Sequence, residues 1–189
     1  MRPASGLDKG PARKWRALPE AVVKRISRRL FHIVLGSVFP VLALFVSRDV
    51  LLVALGVTTA VALGLESARL RLPRLNRVFL RYLPLALKEA EASTLTGATY
   101  LLISSLLAFV LFEKGVAVAA LLFLSVGDPL AGAVGERFGR HRFWGRSMEG
   151  SLACLAGGMI VAVLLWKVNL GISLPAMTVG VVAATLTEW

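Results

Sequence analysis

Gly127 to Ser151, GDPLAGAVGERFGRHRFWGRSMEGS, is the stretch whose residue types could do chemistry. It sets Asp128 in the last third of an apolar run, follows it with glycines and an arginine-rich loop, and opens the next apolar run with Glu-Gly-Ser. About 18 Å of helix separates Val116 from Asp128 at 1.5 Å per residue, a depth still inside hydrocarbon. A carboxylate there is costly without a partner and marks a functional site by default. Magnesium carrying phosphate is a partner that also accounts for the glycines and arginines, because this ion is held by one or two carboxylates together with substrate phosphates. Arg140, His141, Arg142 and Arg146 offer cations to an anion, and guanidinium forks suit phosphate oxygens. Ser151 or Glu149 is positioned to cap the following helix, whose first N–H groups would face the same anion.

Other carboxylates gather at what the charge pattern makes the same side. Glu66 closes the second apolar run, Glu89 and Glu91 precede the third, and Glu136, Glu149 and Glu188 lie at the ends of later ones. Asp128, Glu91 and Glu149 are the candidate metal ligands, whereas Glu89 and Glu136 read as solvated helix ends. Gly127, Ala131, Gly135 and Gly139 recur every four residues. Such a ridge means either tight helix packing or backbone brought close to phosphate. Gly56, Ala60 and Gly64 make a similar ridge for which packing suffices. His32 follows Arg28 and Arg29 at the start of the first run and either meets phosphate or lies in the interface. GRHRFWGRS is not a P-loop: five residues separate its glycines, Arg replaces Lys, and no strand precedes it. No Ser/His/Asp set, Cys/His set or zinc spacing is visible, and the single Cys154 reads as an inert apolar-segment thiol.

The elements that must position these groups are membrane helices. Hydrophobic residues make up 57% of the 189 and charged ones 17%, and the apolar residues come in six runs, about 30–47, 50–65, 95–112, 116–135, 151–166 and 170–186. Each approaches the ~20 residues that cross a ~30 Å core. An all-α polytopic bundle of about six spans follows, with no separate soluble domain. Residues 1–29 form a basic cytoplasmic segment and 30–189 one transmembrane domain with cytoplasmic loops 66–94 and 136–150. The N-terminus reads as a signal anchor without a cleavage site.

Of 22 basic residues, nine precede the first run, six lie between the second and third, and four between the fourth and fifth. Only Arg48, Lys114 and Lys167 fall on the other side. The positive-inside rule then puts both termini and the Asp128 site on the cytoplasmic face. The net charge of +11 is explained by orientation and anionic lipid headgroups; nucleic acid is not an expected partner, since neither aromatic stacking groups nor a basic fold face is present. The segment ALPEAVVKRISRRL and the stretch between Pro73 and Pro84 both read as amphipathic helices lying at headgroup level.

GDPLAGAVGERFGRH followed by GRSMEGSLA resembles the signature of the dolichol kinase, phytol kinase and CTP-dependent diacylglycerol kinase family, which is distantly similar to phosphatidate cytidylyltransferases. Arg28-Arg29-Leu-Phe-His32 resembles its N-terminal basic-plus-histidine element, Glu66 with Arg69 its Glu-x-x-Arg, and Glu91 followed by Leu95-Thr96-Gly97 its Glu before Leu-Thr-Gly. The resemblance covers about residues 28 to 188. It implies a polytopic enzyme that phosphorylates a membrane lipid alcohol with CTP and a divalent metal. On that basis Asp128, Glu149 and Glu91 are catalytic and metal-binding. Gly127, Gly135, Gly139, Arg140, Arg142, Arg146, Ser147, Gly150 and Ser151 bind nucleotide phosphate, with His32, Glu66, Arg69, Thr96 and Gly97 in support.

Two positions depart from the family pattern. Arg146 stands where Lys precedes Ser-x-Glu-Gly, keeping charge but changing donor geometry. Ala183 to Glu188 resembles the start of a late motif that runs on in the family to Asp-Asn and a further span; a short variant and a truncated C-terminus are both compatible with this. Rival expectations are a phosphatidate cytidylyltransferase making CDP-lipid and a non-catalytic membrane carrier or scaffold.

Overall fold

A computed structural model describes residues 20–82, 93–143 and 145–187. Among these, seven helices and one short hairpin form an all-α membrane bundle: α1 (Glu20–Leu42), α2 (Arg48–Arg71), α3 (Pro73–Tyr82), α4 (Gly97–Leu111), α5 (Lys114–Phe138), β1 (Arg142–Phe143), β2 (Arg146–Ser147), α6 (Met148–Lys167) and α7 (Leu174–Leu186). In lipid every backbone polar group must be satisfied within the chain, and helices do this segment by segment.

Three helices, α2, α5 and α6, are long and apolar enough to cross a membrane. The apolar helices α4 and α7 have 15 and 13 residues, roughly 20 Å of axis at 1.5 Å per residue. They are shorter than the runs read from sequence, because Thr96 and Ser173 start them late. α2 shows what surrounds the bundle: Val50, Val53, Val57, Val61 and Leu65 are all exposed. So continuous an apolar face is untenable in water and ordinary in hydrocarbon.

The six longer helices alternate in direction, so the C-terminal ends of α2 and α5 share one end of the bundle with the starts of α1, α4 and α6. α5 is the central element. It packs most extensively on α6, then on α1, and also touches α4 and α7. Leu121, Leu122, Phe123, Met177 and Val181 are buried there, and Leu51, Leu55 and Phe109 fill the α2–α4 side. The opposite end is stitched by cations. Arg48 donates to the carbonyls of Phe109 (2.8 Å), Val110 (3.1 Å) and Phe112 (3.3 Å) at the close of α4, and Lys114 donates to Val46 (2.7 Å).

Two sequence expectations need correction. The basic amphipathic segment before the first span is not a separate surface helix where it is described. It runs unbroken from Glu20 into α1, because Arg25 and Arg29 find a partner on α5 and no helix breaker intervenes. The Gly56–Ala60–Gly64 ridge of α2 does not pack tightly: nothing lies within 4 Å of where a Cβ would stand at Gly56 or Gly64. The helix after Pro73 does form as expected, with Pro at its first position.

Candidate active site

α5 and α6 approach closely because small residues face each other. A Cβ at Gly127 would stand 2.7 Å from Cys154 Sγ, one at Gly135 2.5 Å from Ser147 Oγ, and one at Gly150 2.8 Å from the Ala131 carbonyl. At Gly139 it would meet the Gly135 carbonyl and Ser147. Helix packing therefore accounts for the Gly127–Ala131–Gly135–Gly139 ridge without any ligand.

Pinching the helices this tightly opens a cavity of about 200 Å³ beside the contact. α5 contributes Asp128, Ala131, Gly132, Gly135 and Glu136. The hairpin contributes Arg142, Gly145 and Arg146, and the start of α6 Ser147, Gly150 and Ser151. Asp128, an exposed residue, thus lines the same cavity as two of the loop arginines. Arg140 is exposed and stands outside the lining.

The hairpin that carries the arginines is a local consequence of its residues. Arg142 pairs with Ser147 and Phe143 with Arg146, and Gly145 takes φ +84°, a backbone conformation only glycine adopts freely. Ser147 ends the hairpin and caps α6, its Oγ accepting from Gly150 N at 3.1 Å. The expected cap at Ser151 or Glu149 is thereby corrected: α6 begins at Met148, and Ser151 Oγ donates back to the Ser147 carbonyl.

Glu149 ties the hairpin's approach to α6. Its Oε1 accepts from the backbone N–H of Arg140 (3.1 Å) and His141 (3.2 Å) and meets His141 Nδ1 at 3.0 Å. Glu149 precedes the apolar run 151–166, outside the membrane-crossing part. Its carboxyl is held down to about 2, first by its own backbone N–H, then by His141 and the two loop amides, against a small opposing effect of burial. Its other oxygen, Oε2, is buried with no hydrogen-bond partner among the described residues.

Glu136 is exposed, as a solvated helix end should be, but it is also paired with α1. It accepts from Arg29 at 2.8 Å and Arg25 at 3.3 Å, so α1 is clamped to the site wall. Partial burial alone would raise its carboxyl, but the two guanidinium groups outweigh this and lower it. The same contact lays Arg29 over Gly132. Sequence reading missed the roles of Glu136, Gly132 and Gly145; a glutamate one heptad or so from two arginines in sequence is a readable signal, but Glu136 stands 107 and 111 positions from Arg29 and Arg25.

The supporting residues form a second cluster. Glu66 Oε1 accepts from Thr96 Oγ1 (2.7 Å), Thr99 Oγ1 (3.2 Å) and Thr96 N (3.3 Å), while Oε2 meets Arg69 Nη2 at 2.6 Å. Arg69 continues to the Thr94 carbonyl (2.6 Å) and Asn76 Oδ1 (3.1 Å) and lies over the Phe79 ring. Thr96 caps α4, whose first residue is Gly97. Both charged groups are nearly fully buried, and their hydrogen bonds go to one another and to Thr94, Thr96, Thr99 and Asn76. This cluster locks α2, α3 and α4 together rather than facing the cavity. His32, on α1, has a buried Nε2 without a partner among the described residues. Glu91 lies outside the described residues.

Among the described residues no three His, Cys, Asp or Glu side chains form a metal cage.

Comparison with known proteins places this geometry in context. No family model matches the chain, and no solved structure does. The chain is 32% identical over 142 residues to a CTP-dependent diacylglycerol kinase of Eremothecium gossypii. That alignment takes in 71% of this chain but 44% of the kinase, so the chain matches less than half of that relative's length. It is also 25% identical over 166 residues to an uncharacterized protein of Rickettsia prowazekii, covering 86% of this chain and 81% of the other.

Proposed function

We propose that the protein transfers the terminal phosphoryl group of CTP to the hydroxyl of a membrane lipid alcohol such as diacylglycerol, a polyprenol or phytol. The observation that carries this reading is the cavity in which Asp128 meets Arg142, Arg146 and the capped start of α6. The similarity to a CTP-dependent diacylglycerol kinase supports both donor and reaction class. Phosphoryl transfer asks little of a protein beyond positioning and charge stabilisation, which is what such a cavity supplies.

In this reading Asp128 would hold magnesium from the cavity wall; the unpartnered Oε2 of Glu149, which stands outside the cavity lining, would be a second ligand and Glu91, outside the described residues, a third. When bound, the ion neutralises charge on the phosphate oxygens of the donor. Arg142 and Arg146 bind the equatorial oxygens of the group in transfer, and Arg140 adds to the field that attracts the nucleotide. Glu149 also keeps the hairpin closed through Oε1, so arginine placement and metal binding depend on one residue. The bond from phosphorus to CDP breaks as the bond to the acceptor oxygen forms. The site opens to the cytoplasm, where CTP is found.

The test is labelled CTP with magnesium and a panel of diacylglycerol, polyprenol and phytol in nanodiscs. CDP and lipid phosphate are the expected products. Asp128→Asn is expected to lower turnover at least about a hundredfold, the scale of losing one preorganised electrostatic group. CDP-lipid with pyrophosphate, or no CTP turnover with any acceptor, overturns the reading.

A further inference from the structure

α1 meets α5 in a single antiparallel alignment. Arg25 pairs with Glu136, Arg29 lies over Gly132, and Gly36 sits against Ser125. Each step of four or seven residues along α1 is matched by the same step back along α5, so the three contacts fix one register. Within it His32 stands level with Pro129, one residue from Asp128. At about 100° per residue, His32 falls within about 40° of the centre of the stripe formed by Arg25, Arg29 and Gly36. Asp128 lies about 60° from the α1-facing stripe of α5 by the same rule. It is turned towards Ala131 and Gly135, the residues that line the cavity.

His32 Nε2 is one of two buried side-chain polar atoms without a partner among the described residues; the other is Glu149 Oε2. Leaving such an atom unpaired costs stability, and both lie on elements that flank the same segment of α5. The hairpin arginines follow the end of α5, at the outer rim. His32 lies three residues further along α1 than Arg29, about 4.5 Å further from that rim.

We infer that His32 Nε2 hydrogen-bonds the hydroxyl of the lipid acceptor beside Asp128, so that the acceptor bridges α1 and a cavity whose own lining comes from α5, the hairpin and the start of α6. This rests on the kinase reading above for the identity of the acceptor. The geometry itself requires only an oxygen ligand, either a lipid hydroxyl or a phosphate oxygen. The chain has two histidines, His32 and His141, so ring-nitrogen signals are assignable with one variant.

The experiment uses the full chain with ¹⁵N-labelled histidine in nanodiscs at fixed pH, with His141→Gln for assignment. Dioctanoylglycerol, then a short polyprenol, and separately magnesium–CTP are added. A shift of the His32 Nε2 signal with an alcohol but not with magnesium–CTP is expected. Alongside it, His32→Ala is expected to raise the KM for the acceptor roughly tenfold, one hydrogen bond's worth, leaving the KM for CTP within about twofold, with His32→Gln recovering part of the loss. A His32 signal moved only by magnesium–CTP reassigns the residue to phosphate and overturns the inference. So does a signal that no alcohol moves while the parent protein still phosphorylates lipid, which leaves the kinase reading standing. A signal that alcohols move in a protein without CTP turnover supports the histidine contact and removes the kinase reading.

Discussion

Two glutamates show how a carboxylate's surroundings decide its use. Glu66 spends both oxygens on neighbours inside the protein, whereas Glu149 spends one and keeps the other buried and unpaired. Removing the first leaves Arg69 without its counter-ion at 2% exposure. Glu66→Ala is therefore expected to cost about 3 kcal/mol, the scale for breaking a buried ion pair from one side, measured as reduced resistance to unfolding in detergent. Glu149 predicts a pH effect. Its folded value, about 2, lies below the ordinary 4.5, so its hold on the loop is complete above about 4.5 and is lost as pH falls towards 2. Amide-exchange protection at Arg140 and His141 is expected to survive at pH 4. Protection that collapses around pH 4.5 shows the carboxylate making no such bonds.

At the scale of elements, the glycines of α5 and α6 differ in kind from those of α2. A methyl at Gly150 would press on the Ala131 carbonyl and Ser147, and overpacking of that sort costs about 2 kcal/mol. At Gly64 it meets nothing, and a helical Gly→Ala change there gains up to about 1 kcal/mol. Thermal midpoints in detergent should move in opposite directions for Gly150→Ala and Gly64→Ala. The two ridges look alike in sequence, since i, i+4 spacing says which residues share a face but not what covers it. The same limit explains the rest of the comparison. Helix identity and the gathering of Asp128 with Arg142 and Arg146 were legible, because apolar run length and short loops fix them. The Arg25–Arg29–Glu136 clamp and the unbroken α1 were not, because both depend on which helix packs on α5, and charge spacing along a chain carries no record of that. Ser147 was taken as a phosphate ligand on family resemblance, while its capping role follows from Ser-x-x-Gly hydrogen bonding that competes with no other cap once α6 starts at Met148.

For the whole molecule, the alternating helices put Asp128, Glu136, Glu149 and the hairpin at the end that holds most basic residues. The positive-inside rule predicts that this end faces the cytoplasm. A single cysteine placed at Gly145 in a Cys154→Ser background, in sealed oriented vesicles, should react with an impermeant maleimide from the cytoplasmic side alone. Labelling from the outer side reverses the orientation and detaches the site from its CTP supply.

At the far end Arg48 has a double allegiance. It is the first residue of α2, where the positive helix terminus repels a cation, yet its guanidinium reaches three carbonyls at the negative terminus of α4. Asp49 beside it compensates α2 directly. Any scoring of α2 by itself therefore counts Arg48 as a flaw that an acidic residue would mend. Such a repair would strip α4 of its counter-charge, so this helix pair can only be improved, or damaged, as a unit.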